Sequence, residues 1–194
     1  MQKQINQIKQ KALERHIPII MDDTLETIKE ILTKKQPENI LEIGTAVGYS
    51  AICFCNILNN NCNIDTIELD KNMVKEAKEN IKNLGLEKNI DVIAGDAVEI
   101  LPAIENKYDI IFIDASKSKY PIFLEHAIRL SKKDSVIIAD NVLYKGYVMG
   151  EYNKHKQRTA VKRLREYIQE ITTNKNLKTE ILEVGDGLAI SYMK

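Results

Sequence analysis

The chain has 194 residues, a length that suits one α/β domain and is short for two. Hydrophobic residues make up 44% of the sequence and charged residues 29%, and the 28 Lys and Arg balance the 28 Asp and Glu. This composition is typical of a folded globular protein, and it excludes an overall charge that would favour nucleic acid or membrane surfaces. We therefore expect one domain over residues 1–194.

Five short, largely apolar segments predict the strands of a parallel sheet that is covered on both faces. They are Ile40–Ile43, Ile64–Leu69, Ile90–Ala94, Asp109–Ile113 and Ser135–Ala139. Apolar residues at helical spacing separate these segments, for example from Val74 to Leu84, where Gly85 follows as a helix end. The alternation predicts an α/β protein with a Rossmann-like, doubly wound sheet.

The two ends of the chain depart from this alternation. Helices are predicted ahead of the first strand, at Ile5–Leu13 and Asp22–Leu32, so that residues 1–35 would cover the site. Beyond Asp140 the predicted elements are a loop, a helix and two strands: Asn141–His155, Gln157–Thr172, Leu177–Glu183 and Leu188–Tyr192. Gly185-Asp186-Gly187 joins the two strands as a hairpin, so antiparallel strands would close a mostly parallel sheet.

The sequence contains no pattern typical of export or membrane insertion. Met1–Lys11 is polar, and no apolar run approaches the roughly 18 residues of a membrane span. Cys53, Cys55 and Cys62 lack the spacing of metal ligands, so we expect buried thiols. We therefore expect a cytoplasmic protein with no membrane partner.

The first strand leads into a turn that contains two glycines, Glu42-Ile43-Gly44-Thr45-Ala46-Val47-Gly48. Such glycines let the backbone approach a ligand, and the next helix offers free N–H groups. The spacing differs from the G-x-G-x-x-G of dinucleotide sites, which argues against a dehydrogenase. Glu42 suits an ammonium group, and Glu68 ends the second strand, where an acid holds ribose hydroxyls in this architecture. Together with Gly95-Asp96-Ala97 they predict a nucleoside site, although such a glycine pair can also simply shape a loop.

Oxygen-bearing side chains follow the next two predicted strands. Asp114 follows the fourth strand, Asp140 and Asn141 follow the fifth, and the carboxyl ends of such strands form the ligand-binding edge. Two carboxylates and an amide suit Mg²⁺, with Mn²⁺ or Ca²⁺ also possible. The alternative is that each acid caps the turn or helix that follows it. Lys117 is either a surface lysine beside Lys119 or the base that takes a proton from the acceptor.

The segment Leu41-Glu42-Ile43-Gly44-Thr45-Ala46-Val47-Gly48-Tyr49-Ser50 resembles the first motif of the cation-dependent O-methyltransferases. These are class I methyltransferases, and they include catechol and caffeoyl-coenzyme A O-methyltransferases. The resemblance extends from about Ile17 to Lys194 and implies an S-adenosylmethionine-dependent O-methyltransferase. The cofactor contacts that it implies are Ile20, Glu42, Gly44, Thr45, Ser50, Glu68, Ala97 and Asp114.

The same resemblance implies the metal ligands and the catalytic residues. The family's metal ligands match Asp114, Asp140 and Asn141 in this chain, and catalytic roles fall on Lys117 and Asp114. Because relatives are commonly dimers, the resemblance also implies a homodimer.

The segment Lys154–Arg165 holds six Lys or Arg in twelve residues. Such a segment beside an open site can steer a phosphate backbone, whereas most charge runs are solvated helix faces. Short bacterial members of the family resemble tRNA 5-hydroxyuridine methyltransferases, which form 5-methoxyuridine, and that base offers two adjacent oxygens that can chelate a metal as a catechol does. We therefore expect tRNA as the acceptor, with a small catechol or phenol as the alternative. A non-catalytic tRNA-binding module would have no use for the predicted metal ligands and base.

Overall fold

The computed structural model describes residues 1–150 and 158–194. Its helices are α1 (Gln2–Glu14), α2 (Asp22–Lys35), α3 (Tyr49–Ile57), α4 (Lys71–Asn83), α5 (Ala97–Ile100), α6 (Tyr120–Leu130) and α7 (Arg158–Thr173). Its strands are β1 (Asn39–Ile43), β2 (Asn63–Glu68), β3 (Ile90–Ala94), β4 (Tyr108–Ile113), β5 (Ser131–Ala139), β6 (Leu177–Leu182) and β7 (Leu188–Met193). Short 3-10 helices lie at Leu101–Ala103 and Lys117–Lys119.

In the first unit (Met1–Ala97) the strands lie in the order β3-β2-β1, and in the second unit (Val98–Lys194) they lie in the order β4-β5-β7-β6. The pairs β1–β2, β2–β3 and β4–β5 are parallel, whereas β7 is antiparallel to both β5 and β6. This topology confirms the predicted α/β fold, with its mostly parallel sheet and antiparallel C-terminal strands. By its internal contacts the chain divides into two compact units, Met1–Ala97 and Val98–Lys194, and the single domain expected over residues 1–194 stays a prediction.

In the first unit, α1 and α2 contact α3, and α4 contacts β2 and β3. Asp70 caps the start of α4, because its side chain accepts hydrogen bonds from the N–H groups of Asn72 and Met73. The buried residues of α4 are spaced by three and four positions: Val74, Ala77 and Ile81. Glu42 lies near the carboxyl end of β1 and Glu68 ends β2, so both acids are positioned at one edge of these strands.

In the second unit, α6 begins at Tyr120 and carries Pro121 in its first turn, where a proline leaves no helical hydrogen bond unmade. Helix α7 contacts α6 and the 3-10 helix Lys117–Lys119. Asp114 follows β4 and Asp140 follows β5, and the N–H of Asp140 donates to the carbonyl of Ile113 at 3.0 Å. The parallel pairing of β4 and β5 therefore brings the ends that carry the two acids to the same edge.

The element boundaries differ from the prediction where side chains carry no apolar signal. Strand β5 begins at Ser131 instead of Ser135. The prediction began too late because the first residues of the strand are polar and partly exposed. Helix α2 continues past Leu32 to Lys35 through a last turn that is rich in lysine. Helix α5 has only four residues, too few to show a helical period.

Three further expectations meet the structure in different ways. The cysteines at 53, 55 and 62 are buried free thiols, as predicted. The end of the predicted loop and the start of the predicted helix after it, residues 151–157, lie outside the described residues. In the described part of the chain, no helix combines the length and the apolar content that crossing a membrane requires.

Candidate active site

A buried polar network lies at the carboxyl ends of β1 and β2 in the first unit. The carboxylate of Glu42 is fully buried and accepts hydrogen bonds from Ser50 Oγ and Thr66 Oγ1, both at 2.5 Å. Thr45 Oγ1 lies 2.5 Å from Thr66 Oγ1. Because Thr66 donates its only hydroxyl proton to Glu42, Thr45 is the donor in this last contact. The network ties the first turn of α3 to β1 and β2.

The turn between β1 and α3 uses backbone conformations that favour glycine. The φ angles are +104° at Gly44 and +82° at Gly48, and Ala46 between them is also left-handed at +45°. The N–H of Gly44 donates to the carbonyl of Ile67 at 3.0 Å. A Cβ at Gly48 would lie 3.4 Å from the Cβ of Ala77, so a larger residue would press the turn against α4.

Glu68 holds this turn from the end of β2. Its Oε2 accepts the N–H of Ala46 at 2.8 Å, and its Oε1 accepts the N–H of Asp70 at 2.8 Å. A carboxylate oxygen can accept more than one hydrogen bond, so these contacts are compatible with ribose hydroxyls as additional donors. Glu68 therefore has a structural role in the turn that the sequence did not reveal.

The remaining predicted cofactor residues are apolar and buried, apart from Asp114. Ile20 lies just before α2 and is 3% exposed, and Ala97 begins α5 and is 8% exposed. Gly95, at φ +146°, precedes Ala97, and its N–H donates to the carbonyl of Glu68 at 2.8 Å. Their contacts with the cofactor stay predictions.

Two acids follow β4 and β5 in the second unit: Asp114 is partly exposed, and Asp140 is buried. Asp140 is 2% exposed, and its Oδ1 accepts the N–H of Asn141 at 2.7 Å. Burial, followed by the negative charge of Asp114, raises the pKa of Asp140 to about 7, although the Asn141 N–H and the Lys117 charge act in the opposite direction. Burial also raises the pKa of Asp114, and the Lys117 charge opposes this shift. For both acids, the effects that raise the pKa therefore outweigh those that lower it.

The predicted base and the predicted amide ligand are in direct contact. Lys117 Nζ donates to Oδ1 of Asn141 at 2.9 Å and lies 6.0 Å from the ring centre of Tyr144. Asn141 has φ +56°, a left-handed conformation that asparagine tolerates better than most residues. The structure therefore brings together, beside the acid pair, the residues that the sequence had marked as ligand and base.

The donor set of this cluster fits a hard divalent cation. Two carboxylates and an amide oxygen are the ligand types that Mg²⁺ prefers, and a cation would offset the repulsion that the charge of Asp114 exerts on Asp140. Within residues 1–150 and 158–194, no group of three or more His, Cys, Asp or Glu is arranged to hold a metal ion. The predicted set contains only two acids, with Asn141 as the third member.

Sequence reasoning missed several residues that organise these clusters. Thr66 is fully buried in β2, but this strand contains other polar residues, so its sequence did not distinguish Thr66. Asp186 accepts the N–H of Lys145 at its Oδ1, at 2.5 Å, and so holds the loop after Asn141. Tyr120 is fully buried, and its hydroxyl contacts the backbone where β4 and β5 end. No sequence pattern predicted this contact.

The described part of the basic segment Lys154–Arg165 makes several internal contacts. Arg163 pairs with Glu166 at 2.6 Å, and the Arg165 guanidinium donates to the carbonyls of Val148 and Gly150 at 3.0 and 2.5 Å. The other described basic residues of the segment, Arg158 and Lys162, are exposed, and Lys162 lies 3.9 Å from Glu166. This pattern favours the solvated helix face over a continuous phosphate-binding strip.

Comparison with known proteins decides the family. Residues 3–194 match the model of a family described as O-methyltransferase. This chain belongs to the O-methyltransferase family. A catechol O-methyltransferase from Niastella koreensis is 34% identical over 168 residues, which is 82% of this chain and 75% of that protein.

Solved structures of O-methyltransferases share the fold over nearly the whole chain. A crystal structure from Staphylococcus aureus, provisionally named a caffeoyl-CoA O-methyltransferase, has a TM-score of 0.91 and 34% identity and covers 98% of this chain and 92% of that one. An O-methyltransferase from Bacillus cereus in complex with SAH has a TM-score of 0.88 and 27% identity and covers 99% of this chain and 91% of that one.

These matches confirm the O-methyltransferase family that the sequence motif implied, and the protein is an S-adenosylmethionine-dependent O-methyltransferase. They do not support the finer resemblance to tRNA 5-hydroxyuridine methyltransferases, because the names they carry are those of catechol and caffeoyl-CoA enzymes. The homodimer and the cytoplasmic location stay predictions.

Proposed function

We propose that this O-methyltransferase methylates one oxygen of a small acceptor with two adjacent oxygens, such as a catechol, with the help of a divalent cation. The observation that carries the proposal is the acid pair Asp114 and Asp140, with Lys117 and Asn141 joined beside it. The catechol O-methyltransferase from Niastella koreensis supports the acceptor class, and the SAH complex of the Bacillus cereus enzyme supports the cofactor.

The cofactor contacts are proposed for the first unit, together with Asp114. We assign the methionine part to Glu42 and the turn that follows it, the ribose to Glu68, and the adenine to the surroundings of Ala97. The left-handed backbone of the turn and the buried network around Glu42 support this assignment, because both fix polar groups before any ligand arrives. The proposed contact residues are Ile20, Glu42, Gly44, Thr45, Ser50, Glu68, Ala97 and Asp114.

The chemistry is proposed for the second unit. Asp114, Asp140 and Asn141 would hold a divalent cation, with Mg²⁺ as the first choice and Mn²⁺ or Ca²⁺ as alternatives. When bound, such a cation supplies positive charge that makes a hydroxyl more acidic. In its neutral form, Lys117 would accept the hydroxyl proton at Nζ, while an N–H of the same nitrogen keeps its hydrogen bond to Oδ1 of Asn141. Fixing the reacting groups supplies much of the remaining acceleration, roughly 7–11 kcal/mol in well-oriented cases.

A tRNA acceptor is the competing proposal, and the exposed Arg158 and Lys162 are the observation in its favour. If these residues bind phosphates, replacing both with Ala would weaken tRNA binding. It would also reduce the slope of log binding constant against log salt concentration by about 0.9 or less for each lost contact. The same double variant would leave methylation of a catechol unchanged.

The acceptor class is tested by methylation assays with wild-type protein, S-adenosylmethionine and Mg²⁺. Catechol is compared with resorcinol, which has the same atoms but separates its two oxygens, and with tRNA that carries 5-hydroxyuridine. We expect catechol to be methylated and resorcinol to react far more slowly, because only adjacent oxygens can chelate one cation. Methylation of tRNA alone, lost in the double variant, would transfer the proposal to tRNA.

A further inference from the structure

Tyr120 lies at the start of α6, and its side chain is completely buried. Its ring lies 5.4 Å from the ring of Tyr167 on α7, at an angle of 75°, and 6.4 Å from the ring of Phe123. Edge-to-face packing of this kind fixes the direction of a phenol ring. The hydroxyl of Tyr120 is therefore held in one position.

That hydroxyl contacts the backbone at the ends of both acid-bearing strands. It donates to the carbonyl oxygen of Asp140 at 2.7 Å and lies 3.3 Å from the carbonyl oxygen of Ile113. A hydroxyl has a single proton, so the shorter contact is the main hydrogen bond. The N–H of Asp140 in turn donates to the same carbonyl of Ile113 at 3.0 Å. Tyr120 thus completes a group of hydrogen bonds that joins the end of β4 to the end of β5.

We infer that Tyr120 is a positioning residue for the acid pair, because its hydroxyl fixes the backbone from which Asp114 and Asp140 extend. The negative charges of Asp114 and Asp140 repel each other, and an anchored backbone limits how far the two acids can move apart. Its effect on turnover rests on the proposed function, but its effect on the backbone does not. The residue acts through the acids and needs no contact with the acceptor.

Tyr167 provides a matched control. It is also fully buried, and its hydroxyl has no hydrogen-bond partner within the described residues. Replacing either tyrosine with Phe removes one buried hydroxyl and keeps the ring. Only Tyr120→Phe removes a hydrogen bond to the strand ends.

The first test is amide hydrogen exchange in the metal-free protein, followed by NMR at the N–H groups of Asp140 and Asn141. We expect exchange to rise roughly three- to tenfold in Tyr120→Phe, as the loss of one neutral hydrogen bond predicts, and to stay at the wild-type value in Tyr167→Phe. The second test is the dissociation constant for Mn²⁺, measured by electron paramagnetic resonance. It should rise by a similar factor in Tyr120→Phe alone, with kcat for catechol falling more than KM changes.

Equal exchange rates and equal Mn²⁺ affinities in the two variants would overturn the inference. A wild-type protein that binds no Mn²⁺ would instead contradict the metal part of the proposed function, and the exchange rates at Asp140 and Asn141 would still decide the role of Tyr120. A thermal unfolding curve for each variant identifies any general loss of stability, which would raise exchange throughout the second unit.

Discussion

The acids of the two units occupy similar strand ends but are held in different ways. In the first unit, both oxygens of Glu42 and both oxygens of Glu68 accept hydrogen bonds from hydroxyl or N–H groups. In the second unit, burial raises the pKa of both Asp114 and Asp140, and the charge of Asp114 raises that of Asp140 further. Carboxylates are therefore fixed by hydrogen bonds in the first unit, whereas in the second unit their pKa values are raised.

This difference indicates what each region requires. Hydrogen-bonded carboxylates can shape a turn before a ligand arrives, so the cofactor region needs no metal to be organised. A pair of acids whose pKa values are raised gains most from a cation nearby. We therefore expect changes in the second unit to affect catalysis and metal binding, and changes in the first unit to affect cofactor binding.

The largest effect is expected from Asp140→Ala, which removes a proposed metal ligand. Turnover of catechol should fall by about 10³-fold, since metal-ion catalysis contributes several kcal/mol. The dissociation constant for S-adenosylmethionine should stay close to the wild-type value. Asp109→Asn is the control, because Asp109 lies at the opposite end of β4 and pairs with Lys132 at 2.9 Å. Loss of cofactor affinity equal to the loss of turnover would break the separation of the two regions.

A smaller effect on turnover is expected from Lys117→Met. If Lys117 takes the acceptor proton, kcat should fall by about 10²-fold or more, and the dissociation constant for catechol should change little. Lys119→Met is the matched control, because Lys119 belongs to the same 3-10 helix and is exposed. Steady-state kinetics on both variants test this role. A comparable fall in kcat in the two variants would show that Lys117 is only a surface lysine.

The acid pair also predicts a pH dependence of stability in the metal-free protein. The pKa of Asp140 rises from 3.8 to about 7 on folding, so between these values the folded state holds a proton that the unfolded state has lost. The free energy of unfolding should therefore fall as pH rises through this window, by a few kcal/mol in total. Denaturant unfolding in EDTA from pH 4 to pH 8 should show this fall in the wild type and a weaker fall in Asp140→Asn. Equal slopes of the free energy of unfolding against pH in the two proteins would contradict the raised pKa of Asp140.

The smallest effect is expected from Glu68 in the first unit. Glu68→Ala removes the proposed ribose contact and also releases the N–H of Ala46, so affinity for S-adenosylmethionine should fall roughly ten- to a hundredfold. Glu68→Gln keeps one acceptor oxygen and should lose less. Calorimetry gives both constants, and Mn²⁺ affinity is measured alongside and should not change. Wild-type cofactor affinity in Glu68→Ala would show that Glu68 serves the turn alone.

The sequence predicted the strand ends well because the buried strands are nearly continuous apolar runs with polar residues just after them. Asp114 and Asp140 were found in this way, and the structure places them beside Lys117 and Asn141. Tyr120 was not identified, because its hydroxyl contacts backbone carbonyls. Every residue has a backbone carbonyl, so the sequence does not show which ones a side chain contacts. The acceptor stays a proposal, since a count of basic residues cannot show which of them are paired within the protein.

The central claim is that the second unit binds a divalent cation through its acid pair. The most direct measurement is calorimetric titration of the metal-free wild type and of Asp140→Asn with Mg²⁺, followed by methylation of catechol in excess EDTA. We expect one binding site in the wild type, its loss in Asp140→Asn, and activity that EDTA abolishes and Mg²⁺ restores. A wild type that binds no Mg²⁺ and keeps full activity in EDTA would contradict the claim.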